Sequence, residues 1–342
     1  MRQKIAIVAV ALIIALLAMQ ALAQETPQPA APERPPIRVL VYWDMPGISG
    51  VDDWHMLLPE IRDRYRRALE LLTGDLNAVI GGLFNGGAGE VFVVGLHTEP
   101  PWHSDRDPAF DRRAQLISEE GEFDPLIAPV RAGRFDAVVA IGMAAAPRSR
   151  GFGGHTIAPG VDLRLEDRSI TEAEMLAYSW GTANTPLIFV AGDDRLRDDL
   201  RSLPWIEYVT TKSAMSTSSA TTPPLDETHG LLRAGAEHAI RHLADMKPAR
   251  MKSGAKAAVV AQAPASLALL ANVPGIRYTD QRVDFTAQDF HAAYDAWRAL
   301  ATVATRAYHD ILSRAVEAAG NRDQVIAMYT EDLGGEWVGE KR

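Results

Sequence analysis

The stretch "VLVYWDMPGISGV" covers Val39 to Val51. It begins with an uninterrupted apolar run, which ends at one carboxylate, Asp44, and is followed by a Pro-Gly turn. Continuous apolar runs of this length are typical of strands that are buried on both faces of a parallel sheet. Ligands of such sheets bind beyond the carboxyl ends of the strands. Asp44 therefore stands where a ligand site is expected, although an acid before a Gly-containing turn is also a common turn residue.

The rest of the chain extends this pattern, because apolar segments of strand length alternate with longer amphipathic segments. The strand-like segments are "IRVLVYW", "EVFVVGLH", "FDAVVAIGM", "TPLIFVAGDD" and "IEYVTT", and a helical segment over residues 54–83 separates the first two. The alternation predicts an α/β fold, with a mainly parallel sheet and helices on both faces.

The later part of the chain predicts a C-terminal α+β portion. A helical pattern over residues 225–246 is followed by the strand-like segments "KAAVVAQA" and "IRYTDQRVDF" and by a long helix over residues 287–319. This last helix carries apolar residues at i, i+3 and i+4 spacing, which is typical of a core-facing stripe. The stripe consists of Phe290, Tyr294, Trp297, Leu300 and Val303.

The first 23 residues predict a cleaved secretory signal peptide, because Arg2 and Lys4 precede an apolar run that ends near small residues. The alternative is a membrane anchor, but the run of ~14 residues is shorter than the roughly 20 that span a bilayer. The chain has no cysteine, which excludes both a lipid-modified cysteine and disulfides. We expect a periplasmic or secreted protein with residues 24–36 as a Pro-rich linker, 37–330 as the domain and 331–342 as a C-terminal tail.

Composition and charge exclude several classes of function. The chain has 342 residues, of which 47% are hydrophobic and 23% charged, and a net charge of −9. Loss of Arg2 and Lys4 with the signal peptide would change −9 to −11, with no basic block that could follow a nucleic-acid backbone. We therefore expect no nucleic-acid partner, and no membrane partner after signal cleavage. Nucleophile elbows, phosphate loops and cysteine nucleophiles are absent from the sequence.

Three further residues are candidates for a functional site. His97 follows the second strand, His155 lies in the glycine-rich "GFGGHTIAPG", and Glu172 lies in "SITEAEMLAYSWG". Each has a structural alternative. His97 could be a half-buried, hydrogen-bonded imidazole and His155 an exposed loop residue, while the helix dipole alone favours an acid at Glu172, after a cap at Ser169 or Thr171.

In their order along the chain, these segments resemble the zinc D-aminopeptidases of the dipeptide-transport operon type. The segment "DMPGISG" is similar to that family's Asp-Met-Glu-Gly-Ile-Ser-Gly pattern, and the similarity extends over about residues 38–305 through "VFVVGLH", "GGHTIAPGV", "AYSWG", "PLIFVAGDDR" and "VDFTAQDFHAAYDAW". The resemblance implies an α/β metallo-aminopeptidase, a hydrolase of short peptides that assembles into a ring-shaped homo-oligomer.

The resemblance also implies roles for the candidate residues. In the family an Asp bridges two zinc ions, a His and a Glu complete one site, and a further His is catalytic. Matched by motif, Asp44 is the bridging acid, His97 and Glu172 are the other ligands of the first zinc, and His155 is the catalytic residue. Three nitrogen and oxygen ligands plus water are the usual set of a catalytic zinc, so one Zn²⁺ is expected.

The second zinc site of the family is incomplete in this chain. Its Glu corresponds to Pro46 and its His to Ala144, in "GMAAA". The sequence therefore favours an exported metal-dependent aminopeptidase with one metal ion, and the alternative is an inactive family member that binds a peptide or protein partner. Residues that could replace the missing ligands are Asp52, Asp53, His55, Glu99 and His103.

Two features outside these motifs remain ambiguous at the level of sequence. Lys212, after "EYVTT", could orient a substrate carboxylate or could be a solvated lysine. The Ser/Thr-rich residues 211–224 could form a mobile lid or a plain surface connection.

Overall fold

In the computed structural model, which describes residues 35–95, 109–117, 135–319 and 322–338, the fold is built on two sheets. The strands are β1 (Arg38–Trp43), β2 (Glu90–Gly95), β3 (Gln115–Leu116), β4 (Ala137–Met143), β5 (Val161–Leu165), β6 (Arg168–Ser169), β7 (Leu187–Asp193), β8 (Glu207–Ala214), β9 (Ala220–Thr221), β10 (Ala255–Ala261), β11 (Tyr278–Thr279) and β12 (Arg282–Ala287). The helices are α1 (Arg62–Gly86), α2 (Glu172–Thr182), α3 (Asp194–Asp199), α4 (Leu225–Arg241), α5 (Phe290–Ala319) and α6 (Arg322–Val338).

The larger sheet determines where a site can form. Its strand order within the described residues is β3-β2-β1-β4-β7-β8-β9. The first six strands in this order are parallel to one another, and the last, β9, is antiparallel to β8. This confirms the predicted α/β class with a mainly parallel sheet. The chain proceeds outward from β1 to β2 and then returns to β4 on the other side of β1. The carboxyl ends of β1 and β4 therefore flank the topological switch point, where ligands of such folds bind.

Strand β1 is buried on both faces, as its continuous apolar sequence predicts. Leu40 and Tyr42 pack into the core that also contains Trp180 of α2, and Val39 and Val41 pack into the core on the side of α1. The indole Nε1 of Trp180 donates a hydrogen bond of 2.8 Å to the Tyr42 hydroxyl, which satisfies two polar groups inside the first core. Helices α1 and α4 pack against each other over the second core.

The smaller sheet is antiparallel, with the order β11-β12-β10-β5-β6 in the described chain. Helix α5 covers it with the predicted stripe, in which Phe290, Tyr294 and Trp297 are buried and Leu300 and Val303 are partly buried. The expected C-terminal α+β portion is therefore present. Its sheet also recruits β5 and β6 from the middle of the chain, which the sequence pattern did not predict.

The structure differs from the sequence-based prediction at two further places. The helix expected over residues 54–83 is a 3-10 turn, Trp54–Leu57, followed by α1. The boundary expected between the domain and a tail at residue 331 falls inside α6, which continues to Val338. The predicted signal peptide and nearly all of the linker lie outside the described residues. Among the described helices, none combines a membrane-spanning length with a sufficiently apolar sequence.

The segment that follows β1 crosses directly over the end of β4. Its backbone hydrogen bonds run from Asp44 N to Ile141 O at 3.0 Å and from Gly47 N to Gly142 O at 2.8 Å. Gly142 has φ +70°, and a Cβ there would lie 1.9 Å from the Asp44 carbonyl oxygen. A Cβ at Gly47 would lie 2.5 Å from the Met143 carbonyl oxygen. The crossing therefore requires glycine at both positions.

We predict that Gly142→Ala destabilises the protein by more than a left-handed backbone conformation alone explains. Gly254 provides a matched control, because it has φ +71° and open space around its Cβ position. Gly254→Ala should cost about 1 kcal/mol, and Gly142→Ala about 2 kcal/mol more because of its contact with Asp44. Urea unfolding of the two variants measures the difference, and equal costs would contradict the close crossing.

Candidate metal centre

Three of the predicted site residues meet at the carboxyl edge of the larger sheet. Asp44 follows β1, His155 lies in the loop between β4 and β5, and Glu172 is the first residue of α2. One ligand atom from each lies within 4.8 Å of the other two. Both carboxylate residues are buried and His155 is half-buried. Residues that are far apart in sequence thus form one cluster of two acids and an imidazole.

Backbone groups hold each of the three side chains in place. The Asp44 Oδ1 accepts a hydrogen bond of 2.7 Å from Met45 N, and the Glu172 Oε1 accepts one of 2.6 Å from Ile157 N. The His155 Nδ1 lies 2.9 Å from the carbonyl oxygen of Gly153. Because a carbonyl only accepts, Nδ1 carries a hydrogen, and in the neutral imidazole Nε2 then keeps its lone pair. Metal-binding imidazoles are usually fixed in this way.

The start of α2 fixes the position of Glu172. Thr171 caps the helix: its Oγ1 accepts a hydrogen bond of 3.1 Å from Glu174 N, and its own N donates one of 3.1 Å to the Glu174 side chain. This capping box confirms the expected cap at Thr171. Ile157, which donates to Glu172, has φ +67°, a costly conformation for a β-branched residue. Such strain is characteristic of functional loops.

The cluster fits a zinc ion. Two carboxylate oxygens and one imidazole nitrogen are donors that Zn²⁺ accepts. Zinc–ligand bonds of ~2.1 Å place neighbouring tetrahedral ligands about 3.4 Å apart. The His155 Nε2 is 3.9 Å from the Glu172 Oε1, so small side-chain rotations would bring both atoms to this spacing.

A pocket of about 320 Å³ opens onto the cluster. Of the described residues that line it, those with a formal charge are Asp44 and Glu172. The pocket is therefore acidic at the cluster and suits a cation or an ammonium group more than a carboxylate. The remaining lining is mostly apolar and consists of Pro46, Leu57, Leu58, Pro59, Ile157, Pro159, Thr330, Leu333, Gly334 and Trp337, together with His155.

The other predicted ligand positions fall into three groups. His97, Glu99 and His103 lie outside the described residues. Pro46 lines the pocket and Ala144 is buried, and neither side chain offers a ligand atom. Of the proposed replacements, none of those that the structure describes, Asp52, Asp53 and His55, belongs to the cluster.

Asp53 and His55 instead form a separate interaction. Asp53 caps the 3-10 turn by accepting from His55 N at 2.9 Å, and its Oδ1 lies 2.6 Å from the His55 Nδ1. Its other oxygen pairs with Arg64. Hydrogen bonds from His55 hold the pKa of Asp53 below its ordinary value, with the Arg64 charge acting in the same direction, although partial burial opposes them.

Lys212 has neither of the two roles expected from the sequence. It is buried, and its Nζ donates to the carbonyl oxygens of Pro46 and Val51 and lies 4.8 Å from the centroid of the Phe152 ring. It therefore holds the backbone of the segment after Asp44 in place and cannot reach a substrate carboxylate. Burial lowers the pKa of Lys212 to about 7, although the Asp193 charge acts in the opposite direction.

The contacts of the Ser/Thr-rich segment are those of a packed connection. Thr217 O accepts from Gly153 N at 2.8 Å, and Ser218 O accepts from Trp54 N at 3.1 Å. Ala220 N donates to the carbonyl oxygen of Asp52 at 3.0 Å. The segment thereby links the histidine loop to the 3-10 turn.

Helix α6 is the part of the site that the sequence analysis missed. Thr330, Leu333, Gly334 and Trp337 all line the pocket. Their spacing of three and four residues places them on one helix face, which was the available signal. It is weak, because one of the four is polar and one is glycine.

Comparison with known proteins agrees with this architecture. A family model described as D-aminopeptidase matches residues 37–299. The D-aminopeptidase of Bacillus subtilis (strain 168) is 29% identical over 178 residues, which are 52% of this chain and 62% of that protein. The chain thus aligns with less than two thirds of this relative.

A solved structure also matches the fold. It is the Zn-dependent D-aminopeptidase DppA from Bacillus subtilis, described as a self-compartmentalizing protease, and it superposes with a TM-score of 0.69 at 24% identity. The match covers 79% of this chain and 98% of that chain. At this identity, the likeness establishes the fold.

We predict that Lys212 makes the stability of the protein increase with pH above neutrality. Its folded pKa of about 7 lies below the ordinary value of 10.5, so the unfolded state binds more protons between these values and stability rises with pH. Lys212→Met should flatten the rise between about pH 7 and pH 9.5. Chemical denaturation measures it, with the exposed Lys256→Met as control. Parallel curves for wild type and Lys212→Met would contradict the prediction.

Proposed function

Because the chain belongs to the D-aminopeptidase family, we propose that it is a metal-dependent aminopeptidase-like hydrolase of short peptides that holds one Zn²⁺. The observation that carries this proposal is the convergence of Asp44, His155 and Glu172 within 4.8 Å of one another at the base of an acidic pocket. In the proposal Asp44, His97 and Glu172 are the metal ligands and His155 is the catalytic residue. The zinc dependence of the structural neighbour supports the choice of metal.

The geometry supports a defined role for each described residue. Zn²⁺ held there would supply a Lewis acid for an amide carbonyl and favour the ionisation of water. In the neutral imidazole whose Nδ1 donates to Gly153 O, the His155 Nε2 can accept a proton from the attacking water and return it to the leaving amine. Asp44 and Glu172 would hold the ion through their carboxylates.

One observation favours a different role for His155. Its Nε2 is as well placed for ligation as the two carboxylates, because the three ligand atoms all lie within 4.8 Å of one another. In that arrangement His155 would complete a three-ligand set by itself.

We predict that zinc affinity separates these roles. Glu172→Gln and His97→Ala should lower the affinity by more than about 100-fold, beyond the loss typical of an indirect partner. His155→Ala should change it by less than about tenfold while abolishing turnover. Titration calorimetry with Zn²⁺ measures the affinity, and wild type should bind one ion per chain.

The control for these variants is Glu227→Gln, because Glu227 is an exposed acid in the first turn of α4, as Glu172 is in the first turn of α2. It should bind zinc as wild type does. Loss of affinity in His155→Ala, with retention in His97→Ala, would reassign His155 as the ligand. Unchanged affinity in Glu172→Gln would reject the site.

A second candidate function is binding without catalysis, which the replacement of two family ligands by Pro46 and Ala144 favours. We predict slow but measurable release of D-alanine from D-Ala-D-Ala by the zinc-loaded protein, because a single metal ion loses the two-metal clamp on the attacking and leaving oxygens. An amino-acid release assay measures it, with His155→Ala as the blank. Binding of the dipeptide without any release above the blank would support the inactive alternative.

The remaining elements of the proposal concern location and assembly. We propose export to the periplasm, or secretion, on the basis of residues 1–23, and a homo-oligomer on the basis of the neighbour's self-compartmentalizing description. N-terminal sequencing of the exported protein and light scattering test these two points.

A further inference from the structure

Helix α6 borders the pocket, although it comes from outside the part of the chain that matches the family model, which ends at residue 299. The helix packs closely on the 3-10 turn: a Cβ at Gly334 would lie 2.1 Å from the Trp54 Cζ3. At its end, the buried Val338 accepts a hydrogen bond from the Thr217 hydroxyl. The wall that α6 contributes is therefore anchored at two points.

Trp337 connects this wall to the cluster. Its ring meets the His155 ring edge-to-face, with the centroids 5.4 Å apart and the planes at 80°. Its Nε1 donates to the carbonyl oxygen of Gly154 at 3.4 Å, which fixes the orientation of the indole. Leu333, one turn earlier, also lines the pocket. A molecule beside His155 must therefore contact α6.

The pocket consequently has two chemically distinct parts. One part carries the carboxylates of Asp44 and Glu172, and the other is an apolar wall that includes Leu57, Leu333 and Trp337. Once a metal ion takes the carboxylates, a ligand beside it is left with the apolar wall and gains most from an apolar group next to its metal-facing atoms. The volume of about 320 Å³ limits the size of that apolar group. None of the described lining residues is a lysine or arginine.

We propose that α6 forms the subsite for the side chain of the substrate's first residue, and that Leu333 and Trp337 select apolar side chains there. This inference rests on the proposed function, because it assigns the substrate class of the same pocket. Trp337 and Leu333 are then specificity-determining residues that the family-matched part of the chain does not contain.

Binding of two amino-acid amides to the zinc-loaded protein tests this proposal without requiring turnover. D-Leucinamide carries the apolar side chain, and glycinamide carries the ammonium and amide groups alone. Trp337→Ala should weaken D-leucinamide binding about tenfold, or 1.4 kcal/mol, and change glycinamide binding less than about twofold. Trp337→Phe, which keeps an apolar ring, should stay within about threefold of wild type for both ligands. Titration calorimetry gives the dissociation constants.

Leu333→Ala provides a second variant in case Trp337→Ala does not fold, and it should also weaken D-leucinamide binding selectively. Equal weakening of both amides, no weakening of either, or a wild type that binds neither would overturn the subsite. Failure of the proposed function is distinguishable, because it would appear as absent zinc binding or absent hydrolysis in wild type. Selective loss of D-leucinamide binding in a protein without turnover would preserve the subsite while rejecting the peptidase.

Discussion

The site depends on one close backbone crossing, in which the segment after β1 passes over the end of β4. The crossing requires glycine at positions 47 and 142, since a Cβ at either would collide with backbone atoms of the opposite segment. It turns the chain away from the sheet immediately after Asp44 and leaves that carboxylate at the switch point between the two strands. Lys212 holds the turn through hydrogen bonds to the carbonyl oxygens of Pro46 and Val51. The position of Asp44 is therefore set both by the backbone crossing and by this lysine.

The other two members of the cluster reach the same place by local backbone chemistry. Glu172 follows the capping box that starts α2 and its Oε1 accepts a hydrogen bond from Ile157 N, while His155 is held by its hydrogen bond to the carbonyl oxygen of Gly153. In each case the interaction that orients the side chain also satisfies a backbone group that would otherwise need a partner. The cluster is therefore preorganised before any ligand arrives. Two buried carboxylates this close repel each other unless a cation or a proton lies between them. The preorganised arrangement therefore favours binding of a cation.

The sequence predicted those parts of the architecture in which apolar residues recur with a regular pattern. The apolar run of β1 and the stripe on α5 each place many side chains in one environment, so their burial could be expected. Strand β5 escaped notice because it contains Asp162, whose charge interrupts the apolar pattern. The structure buries Asp162 by pairing it with Arg164 at 2.9 Å and Arg148 at 3.1 Å, and tertiary pairing of this kind cannot be seen in a short sequence window.

The prediction that the cluster residues converge had a different basis, because no periodicity in the sequence relates Asp44, His155 and Glu172. Resemblance to a family suggested it, and only the three-dimensional arrangement gives the distances. The surroundings of His155 were not suggested at all. Resemblance ends before α6, so the part of the pocket that contacts His155 through Trp337 had no template, and its weak amphipathic pattern was insufficient alone.

Pro46 and Ala144, whose side chains carry no ligand atom, and the apolar wall of α6 have a common electrostatic consequence. One Zn²⁺ between Asp44 and Glu172 would be neutralised by their two charges, at little cost in a pocket that is otherwise apolar. A second dication would bring two further charges into surroundings where the described lining supplies no additional carboxylate, and uncompensated charge in such surroundings is expensive. The Pro46 side chain in the pocket lining and the Trp337 indole against the histidine both act in the same direction. Within the proposed function, they favour a single metal ion with an apolar side chain beside it.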